Sequence, residues 1–253
     1  MMSKQLMIYE KAVPISSKRH ADWSVVKSGG YEFAGEMTSV PLVAAEFSAA
    51  AGEYVMVFAG ADKVAPIAIL GARDKQNLYL KDDGSWDAQY VPAFLRRYPF
   101  VFSGGKDENT FTLCIDEEYD GCNRDGRGER LFDEKGDKTK YGERVLDFVG
   151  KYQSHYQRTQ QFCEKLKALN LLDPMQAEIT SSQGDKQRLA GFMAVSRERL
   201  NALPAKKLSE LAKSGELELI YLHLQSMRNL AAVLARGRGG EATSPEPAAA
   251  MVH

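Results

Sequence analysis

Apolar residues follow a strand-like pattern in the first half of the chain and a helix-like spacing of three and four residues in the second half. The apolar runs of the first half are rich in β-branched and aromatic residues and are bounded by Gly, Pro or Asp, which is typical of strands. The strands predicted from them are Tyr54–Phe58, Val64–Leu70, Asn77–Leu80, Phe100–Ser103 and Phe111–Ile115. We therefore expect a β-rich first half, with Tyr54–Phe58 as a buried central strand.

The second half predicts helices, and the longest of them covers Tyr141–Leu172. Its apolar residues form one stripe over about eight turns, which favours packing against the β-rich half over a cofactor site. Asp173 and Pro174 are expected to end this helix, because a proline disfavours helical backbone in the residue before it. The segment Asn201–Arg236 predicts two helices separated by a cap at Gly215.

Three shorter elements are also predicted. Two strands are expected at Met175–Thr180 and Arg188–Val195, joined by a turn over residues 181–185. A short helix is expected over Val43–Ala51, with Glu46 near its start.

Residues 117–138 are dominated by charged residues and Gly, and they predict a long surface loop anchored by Leu131 and Phe132. The acidic residues begin a calcium-loop pattern at Asp116. The twelfth position of that pattern is Arg127, where a calcium loop needs a bidentate Glu, so a solvated acidic loop is favoured.

Together these patterns predict an α+β fold with a β-rich N-terminal half, a long helix and a C-terminal helical hairpin. We expect a single domain over residues 1–236, composed of a β-rich part over 1–116, the loop at 117–138 and a helix-rich part over 139–236. Residues 237–253 are rich in Gly, Pro and Ala and predict a disordered tail.

Composition excludes several classes of protein. The 33 basic and 34 acidic residues give a net charge of −1, which argues against a dedicated nucleic-acid binder. No apolar run approaches the roughly 20 residues that cross a bilayer, and the first residues lack the apolar core of a signal peptide. The three cysteines show no CxxC spacing and are expected to be free thiols. These features predict a cytoplasmic protein.

Sequence motifs for catalysis or cofactor binding are absent. The chain contains no nucleophile elbow, HExxH, P-loop or dinucleotide-binding motif. His20, His155 and His223 come from three distant segments, and no acidic residue has a spacing that would complete a metal site with them. We expect no metal and no cofactor.

The best candidate for a functional surface is the aromatic and arginine-rich stretch around Trp86, with His20 as a further polar residue. Aromatic rings stack on sugar faces, and a guanidinium binds a carboxylate through two parallel hydrogen bonds. The candidate ligand-binding residues are His20, Trp86, Asp87, Tyr90, Arg96, Arg97 and Tyr98. The alternative is that the rings are core residues and that one arginine pairs with an internal carboxylate such as Asp87.

Arg96 and Arg97 are expected to occupy different environments. Adjacent helical residues point about 100° apart, and apolar neighbours already claim the core side of this turn. One arginine should therefore be buried with a carboxylate partner, while the other faces solvent or a ligand. Trp86 is expected to be a buried anchor.

Several stretches of the sequence resemble the SapC family, bacterial proteins named for a gene that lies near genes for the secretion of surface-layer (S-layer) proteins. The matching stretches are Val40–Phe47, Tyr54–Gly60, Pro66–Phe100, Leu131–Thr139 and Ser214–Leu230. The most specific of them is the segment WDxxYVPAFLRRYPF, which ends at Phe100. The family name points to a cell-surface or S-layer polymer system, and the resemblance supplies no catalytic residues.

Three functions therefore remain open. The first is a non-enzymatic accessory or binding protein of a cell-envelope polymer system that recognises a sugar or a carboxylate, with a protein or a surface polymer as its partner. The second is an enzyme with a site near His20 and the arginine pair, and the third is a module that forms a homodimer through its C-terminal helices. A closed pocket with His20 and Arg96 favours the enzyme, an exposed aromatic groove favours the binder, and a large apolar patch on Leu217–Leu234 favours the dimer.

Overall fold

Three antiparallel sheets and one long helix organise the chain in a computed structural model that describes residues 8–27, 30–104, 111–180 and 186–236. The strands are β1 (Ala12–Pro14), β2 (Ser24–Val25), β3 (Ser39–Pro41), β4 (Val55–Ala59), β5 (Ala65–Ile69), β6 (Phe100–Gly104), β7 (Phe111–Asp116), β8 (Cys122–Asn123), β9 (Glu129–Arg130), β10 (Leu172–Thr180) and β11 (Lys186–Val195). The helices are α1 (Phe47–Ala50), α2 (Ala93–Arg96), α3 (Lys140–Ala168), α4 (Arg197–Asn201), α5 (Ala205–Lys213), α6 (Glu216–Ser226) and α7 (Leu230–Arg236). The predicted α+β fold is confirmed.

The largest sheet has five strands in the order β10-β11-β4-β5-β3. Its central strand β4 is a run of apolar residues, and Val55, Met56, Val57 and Phe58 are all buried. A strand that is covered on both faces is apolar at every position, so the predicted central position of this segment is confirmed. The sheet carries the larger of two cores.

The hairpin β10–β11 joins the two halves of the chain, since Phe192 and Met193 of β11 pair with Ala59 and Phe58 of β4. Both strands of this hairpin were predicted, although each begins a few residues earlier than expected. The turn predicted between them, residues 181–185, lies outside the residues that the structure describes.

Two smaller sheets, in the orders β1-β7-β6 and β8-β2-β9, surround a second core. The predicted pairing of β6 with β7 is confirmed. Two short strands, β8 and β9, lie in the stretch 117–138 that was predicted as a loop, and both pair with β2. Leu131 and Phe132 are buried in this smaller core, as predicted.

The predicted strand at Asn77–Leu80 is wrong. A single bridge between Leu80 and Trp86 is all the pairing that this segment shows. The Asn77 side chain donates to the Ala34 carbonyl at 2.8 Å and accepts from the Tyr79 amide at 2.9 Å. An amide side chain that bonds to nearby backbone in this way competes with a strand ladder.

Helix α3 crosses both cores. The Thr139 hydroxyl caps its first turn by accepting from the Gly142 amide at 3.2 Å. Val145 and Val149 lie in the smaller core, and Tyr152 and Leu166 lie in the larger core. The helix therefore forms the common wall of the two cores.

The end of α3 differs from the prediction, because the helix stops at Ala168 and not at Leu172. Asn170 takes a left-handed backbone with φ 52°, which asparagine tolerates better than most residues and which ends a helix. Pro174 does not terminate α3. It lies within β10, an edge strand of the five-stranded sheet, where the missing amide proton of a proline is tolerated.

The C-terminal segment folds as the predicted pair of helices, with Gly215 between α5 and α6 at φ 77°. The second predicted helix is interrupted by a 3-10 turn at Met227–Asn229. There the Asn229 side chain donates from its Nδ2 to the carbonyls of Ala51 and Tyr54. No helix among the described residues is both long enough and apolar enough to span a membrane. The tail predicted to be disordered, residues 237–253, lies outside the described residues.

Candidate functional site

The first part of the stretch around Trp86 is sealed in the larger core. Trp86 is 8% exposed, as predicted for a buried anchor. Its ring stacks on Tyr79, which in turn stacks on Tyr54, and the Trp86 indole N–H donates to the Tyr54 hydroxyl at 2.7 Å. We call Tyr54, Tyr79 and Trp86 the Trp86 cluster. Its rings are core residues.

Asp87 lies at the surface beside the last helix. Its carboxylate accepts from Arg236 of α7 at 2.8 Å and lies 3.3 Å from the Lys81 ammonium group. Arg236 also donates to the Asp87 carbonyl at 3.2 Å. These contacts join helix α7 to the segment that directly follows Trp86.

The second part of the same stretch lines a pocket of about 430 Å³. The pocket lies where the two cores meet, between β2, α2, the start of β6 and α3. Among the described residues, seven aromatic side chains contribute to its wall: Tyr31, Phe33, Tyr98, Phe100, Tyr119, Tyr141 and Phe148. Tyr141, Arg144 and Phe148 follow one another at three and four residues, so they share one face of α3.

Arg97 is the buried member of the arginine pair, with 2% exposure. Its guanidinium carbon lies 4.5 Å from the ring centre of Phe94, 4.6 Å from that of Tyr152 and 5.8 Å from that of Tyr9. Burial raises the pKa of Tyr9 to about 12, so its hydroxyl keeps its proton. The predicted difference in burial between the two arginines is confirmed, and the rings of Phe94, Tyr152 and Tyr9 surround the buried guanidinium.

Arg96 is exposed but held in a defined position. Its guanidinium carbon lies 5.5 Å from the ring centre of Tyr90 and 5.4 Å from that of Phe148. Its Nε donates to the Val91 carbonyl at 2.8 Å, and its Nη2 donates to the Tyr90 hydroxyl at 3.2 Å. In the described part of the chain, no carboxylate lies within ion-pair distance of Arg96.

Tyr90 does not line the pocket but contacts Arg96, which does. The Tyr90 hydroxyl donates to Glu46 Oε1 at 2.7 Å. Burial, and then the neighbouring Glu46 carboxylate, raise the pKa of Tyr90, so the hydroxyl stays protonated and remains a donor. Sequence reasoning placed Glu46 only near the start of a short helix and missed its role in this site.

Tyr98 lines the pocket, whereas His20 does not. The Tyr98 ring lies 4.4 Å from that of Phe33, and its hydroxyl donates to Asp116 at 3.4 Å. His20 is fully buried elsewhere, with its Nε2 3.3 Å from Glu117 and its ring edge-on to Trp23. Burial lowers the pKa of His20. Of the candidate residues, the pocket wall therefore brings together Arg96, Arg97 and Tyr98.

The pocket is more positive than the protein as a whole. The charged side chains of its described lining are Lys27, Arg96, Arg97, Arg144 and Glu129, against a net charge of −1 for the chain. Glu129 is paired with Arg144 at 3.4 Å. Burial raises the pKa of Tyr31, Tyr98 and Tyr141, so these hydroxyls add no negative charge at neutral pH. This arrangement suits an anion that carries a flat or apolar body.

Metal-ligating residues are not gathered into a site in the described part of the chain, where no group of three or more His, Cys, Asp or Glu could hold a metal ion. His223 is buried and bonded to backbone on both ring nitrogens. Its Nε2 accepts from the Val195 amide at 3.0 Å, and its Nδ1 donates to the Met56 carbonyl at 3.0 Å. The three cysteines are free thiols.

The fold and the pocket together describe an α+β chain with an aromatic, cation-lined pocket at the junction of two cores. The SapC family model matches residues 15–233, and the chain belongs to this family. Comparisons with curated proteins and with solved structures found no match.

Proposed function

We propose that the protein is a non-enzymatic accessory or binding protein of a bacterial cell-surface or S-layer polymer system, and that its pocket binds an acidic saccharide. The observation that carries this proposal is the state of Arg96. This exposed guanidinium is fixed between the rings of Tyr90 and Phe148, and no carboxylate of the described chain lies within ion-pair distance of it. A fixed cation without a counter-ion, set in an aromatic wall, is suited to a carboxylate ligand.

The pocket also suits the body of such a ligand. Aromatic rings bind the apolar faces of sugars, and seven rings contribute to this wall. A volume of about 430 Å³ lies in the usual range for small-ligand sites. One or two sugar units fit this description, with the carboxylate directed to Arg96 and the ring against the aromatic wall.

The chemistry of the lining favours binding over catalysis. The described lining contains no Ser, Thr, Cys or His that could act as a nucleophile or as a base near neutral pH. His20, on which the alternative of an enzyme depends, lies in a separate buried cluster with Glu117 and Trp23. The three free thiols support a cytoplasmic location, where the ligand would be a precursor of the polymer.

Calorimetric titration with matched sugars tests this proposal. Galacturonate, glucuronate and N-acetylneuraminate are compared with galactose, glucose and N-acetylglucosamine. We expect at least one acidic sugar to bind about tenfold more tightly than any neutral sugar, because a charge-assisted bidentate contact contributes on the order of 1–3 kcal/mol. The proposal fails if no acidic sugar is preferred.

Two variants locate the binding. Arg96→Ala should remove the preference for the acidic sugar, whereas Arg158→Ala should keep it. Arg158 is an exposed arginine of helix α3 and does not line the pocket, so Arg158→Ala controls for the loss of one positive charge. Equal loss of binding in both variants would indicate a general charge effect and not a site.

A further inference from the structure

One buried carboxylate, that of Glu46, links the segment at Val43 to the segment 90–93, which directly precedes Arg96. Glu46 is 5% exposed and accepts three hydrogen bonds. Its Oε2 accepts from the Val43 amide at 2.8 Å, and its Oε1 accepts from the Ala93 amide and from the Tyr90 hydroxyl, both at 2.7 Å. Burial of a carboxylate is costly unless it is hydrogen-bonded, so these three bonds together define one position for the group.

The Tyr90 hydroxyl connects this carboxylate to Arg96. It has a single proton, which it donates to Glu46, and its oxygen accepts from Arg96 Nη2 at 3.2 Å. The backbone of Tyr90 is fixed as well, because its amide and that of Gln89 donate to the Glu53 carboxylate at 3.0 and 2.6 Å. Neither Tyr90 nor Glu46 lines the pocket.

The bonds that Arg96 makes inside the protein leave part of its guanidinium available. Of its five N–H groups, Nε–H bonds to the Val91 carbonyl and one Nη2 N–H bonds to Tyr90. Both N–H groups of Nη1 and the second one of Nη2 have no hydrogen-bond acceptor among the residues that the structure describes. Nη1 and Nη2 together form the forked end of the guanidinium, which matches the two oxygens of a carboxylate.

We propose that Glu46 and Tyr90 are positioning residues for ligand recognition, and that they hold Arg96 with the Nη1–Nη2 end of its guanidinium presented to a carboxylate of the ligand. This inference rests on the proposed function, and it assigns the orientation of Arg96 to two residues outside the pocket wall. Glu46 orients Tyr90, and Tyr90 orients Arg96. The benefit for binding comes from an arginine that is already ordered before the ligand arrives.

A measurement without ligand tests the ordering of Arg96. In a nitrogen-15 NMR spectrum of arginine side chains, assigned through the signal lost in Arg96→Ala, the Arg96 Nε–H should exchange slowly with water in the unmodified protein. Tyr90→Phe removes the hydroxyl and keeps the ring, and it should accelerate this exchange and shift the signal. The positioning role is wrong if the Arg96 signal is the same in both proteins.

A matched control separates positioning from a general loss of stability. Tyr79→Phe also deletes a tyrosine hydroxyl, which donates to the Glu53 carbonyl at 2.8 Å and lies away from the pocket. Tyr90→Phe should weaken galacturonate binding about tenfold and leave galactose binding unchanged. The variant loses the hydrogen bond that orients Arg96, and Arg96 contacts the carboxylate, which galactose lacks. Tyr79→Phe should affect neither sugar.

A double mutant tests whether Tyr90 acts through Arg96. In the Arg96→Ala background, Tyr90→Phe should cause no further loss of galacturonate binding. If Tyr90→Phe alone binds galacturonate as the unmodified protein does, while Arg96→Ala does not, the positioning role is wrong and the proposed function stands. Equal losses for galacturonate and galactose in Tyr90→Phe would also overturn the positioning role. If Arg96→Ala keeps full affinity and preference for galacturonate, the proposed function itself fails.

Discussion

The Trp86 cluster and the pocket beside Arg96 are both rich in aromatic residues, and Trp86 and Arg96 lie in the same stretch of chain, but the two regions differ in how their polar groups are satisfied. In the cluster, the Trp86 N–H donates to the Tyr54 hydroxyl, which donates to the Tyr90 carbonyl. In the pocket, Arg96 retains N–H groups that no described residue engages. Aromatic and arginine content alone therefore does not identify a binding surface. The partners of the polar atoms do.

The largest expected effect is on stability and concerns the Trp86 cluster. Trp86→Ala should lower the free energy of unfolding by about 3–5 kcal/mol, because it leaves a cavity in the larger core and removes the donor to Tyr54. Urea denaturation measures this loss. Ligand binding by the refolded variant should change little, since Trp86 does not line the pocket.

The second tryptophan of the chain provides the control. Trp23 is half-buried at the surface of the smaller core, so Trp23→Ala should be less destabilising than Trp86→Ala. Equal losses in the two variants would contradict the assignment of Trp86 as the sealed anchor.

The next effect concerns a buried histidine, His223. Burial lowers the pKa of His223 from 6.5 to about 4, so the unfolded chain takes up a proton at a higher pH than the folded chain does. His223 should therefore contribute full stability above pH 6.5, and roughly 3 kcal/mol should be lost as the pH falls from 6.5 to 4. Urea denaturation at a series of pH values measures the slope.

His223→Gln should be less stable at neutral pH and should show a shallower slope between pH 6.5 and 4. His155→Gln, on the partly exposed side of α3, is the matched control for replacing a histidine by glutamine. A slope that is the same in His223→Gln would mean that other groups cause the acid sensitivity.

The sequence allowed the local features of both regions to be predicted, because they depend on neighbours along the chain. Helical geometry predicts that Arg96 and Arg97 differ, and the apolar content of Tyr54–Phe58 predicts a buried strand. The end of α3 was missed because the left-handed residue Asn170 is a weaker signal than Pro174.

The long-range features were not predictable in the same way. The pocket wall combines β2, α2 and α3, which are distant in the sequence, and nothing in the spacing of Phe148 shows that it contacts Arg96. Asp87 pairs with Arg236, which is 149 residues away. Glu46 reads as an ordinary residue of a short helix, although its carboxylate bonds to residues up to 47 positions away.

The smallest effects distinguish the two adjacent arginines. Arg97→Ala should destabilise the protein by about 2 kcal/mol or more, because it removes a buried cation from the rings of Phe94 and Tyr152 and leaves a cavity between them. Arg96→Ala should cost less than about 1 kcal/mol, since its contacts are exposed and water replaces them. Urea denaturation of the two variants under one set of conditions measures the difference. If the two losses are equal and small, Arg97 is not structural and the contrast between a sealed and an open face of this turn is wrong. If Arg96→Ala proves to be the more destabilising, Arg96 belongs to the framework of the fold, and its missing counter-ion no longer indicates a ligand.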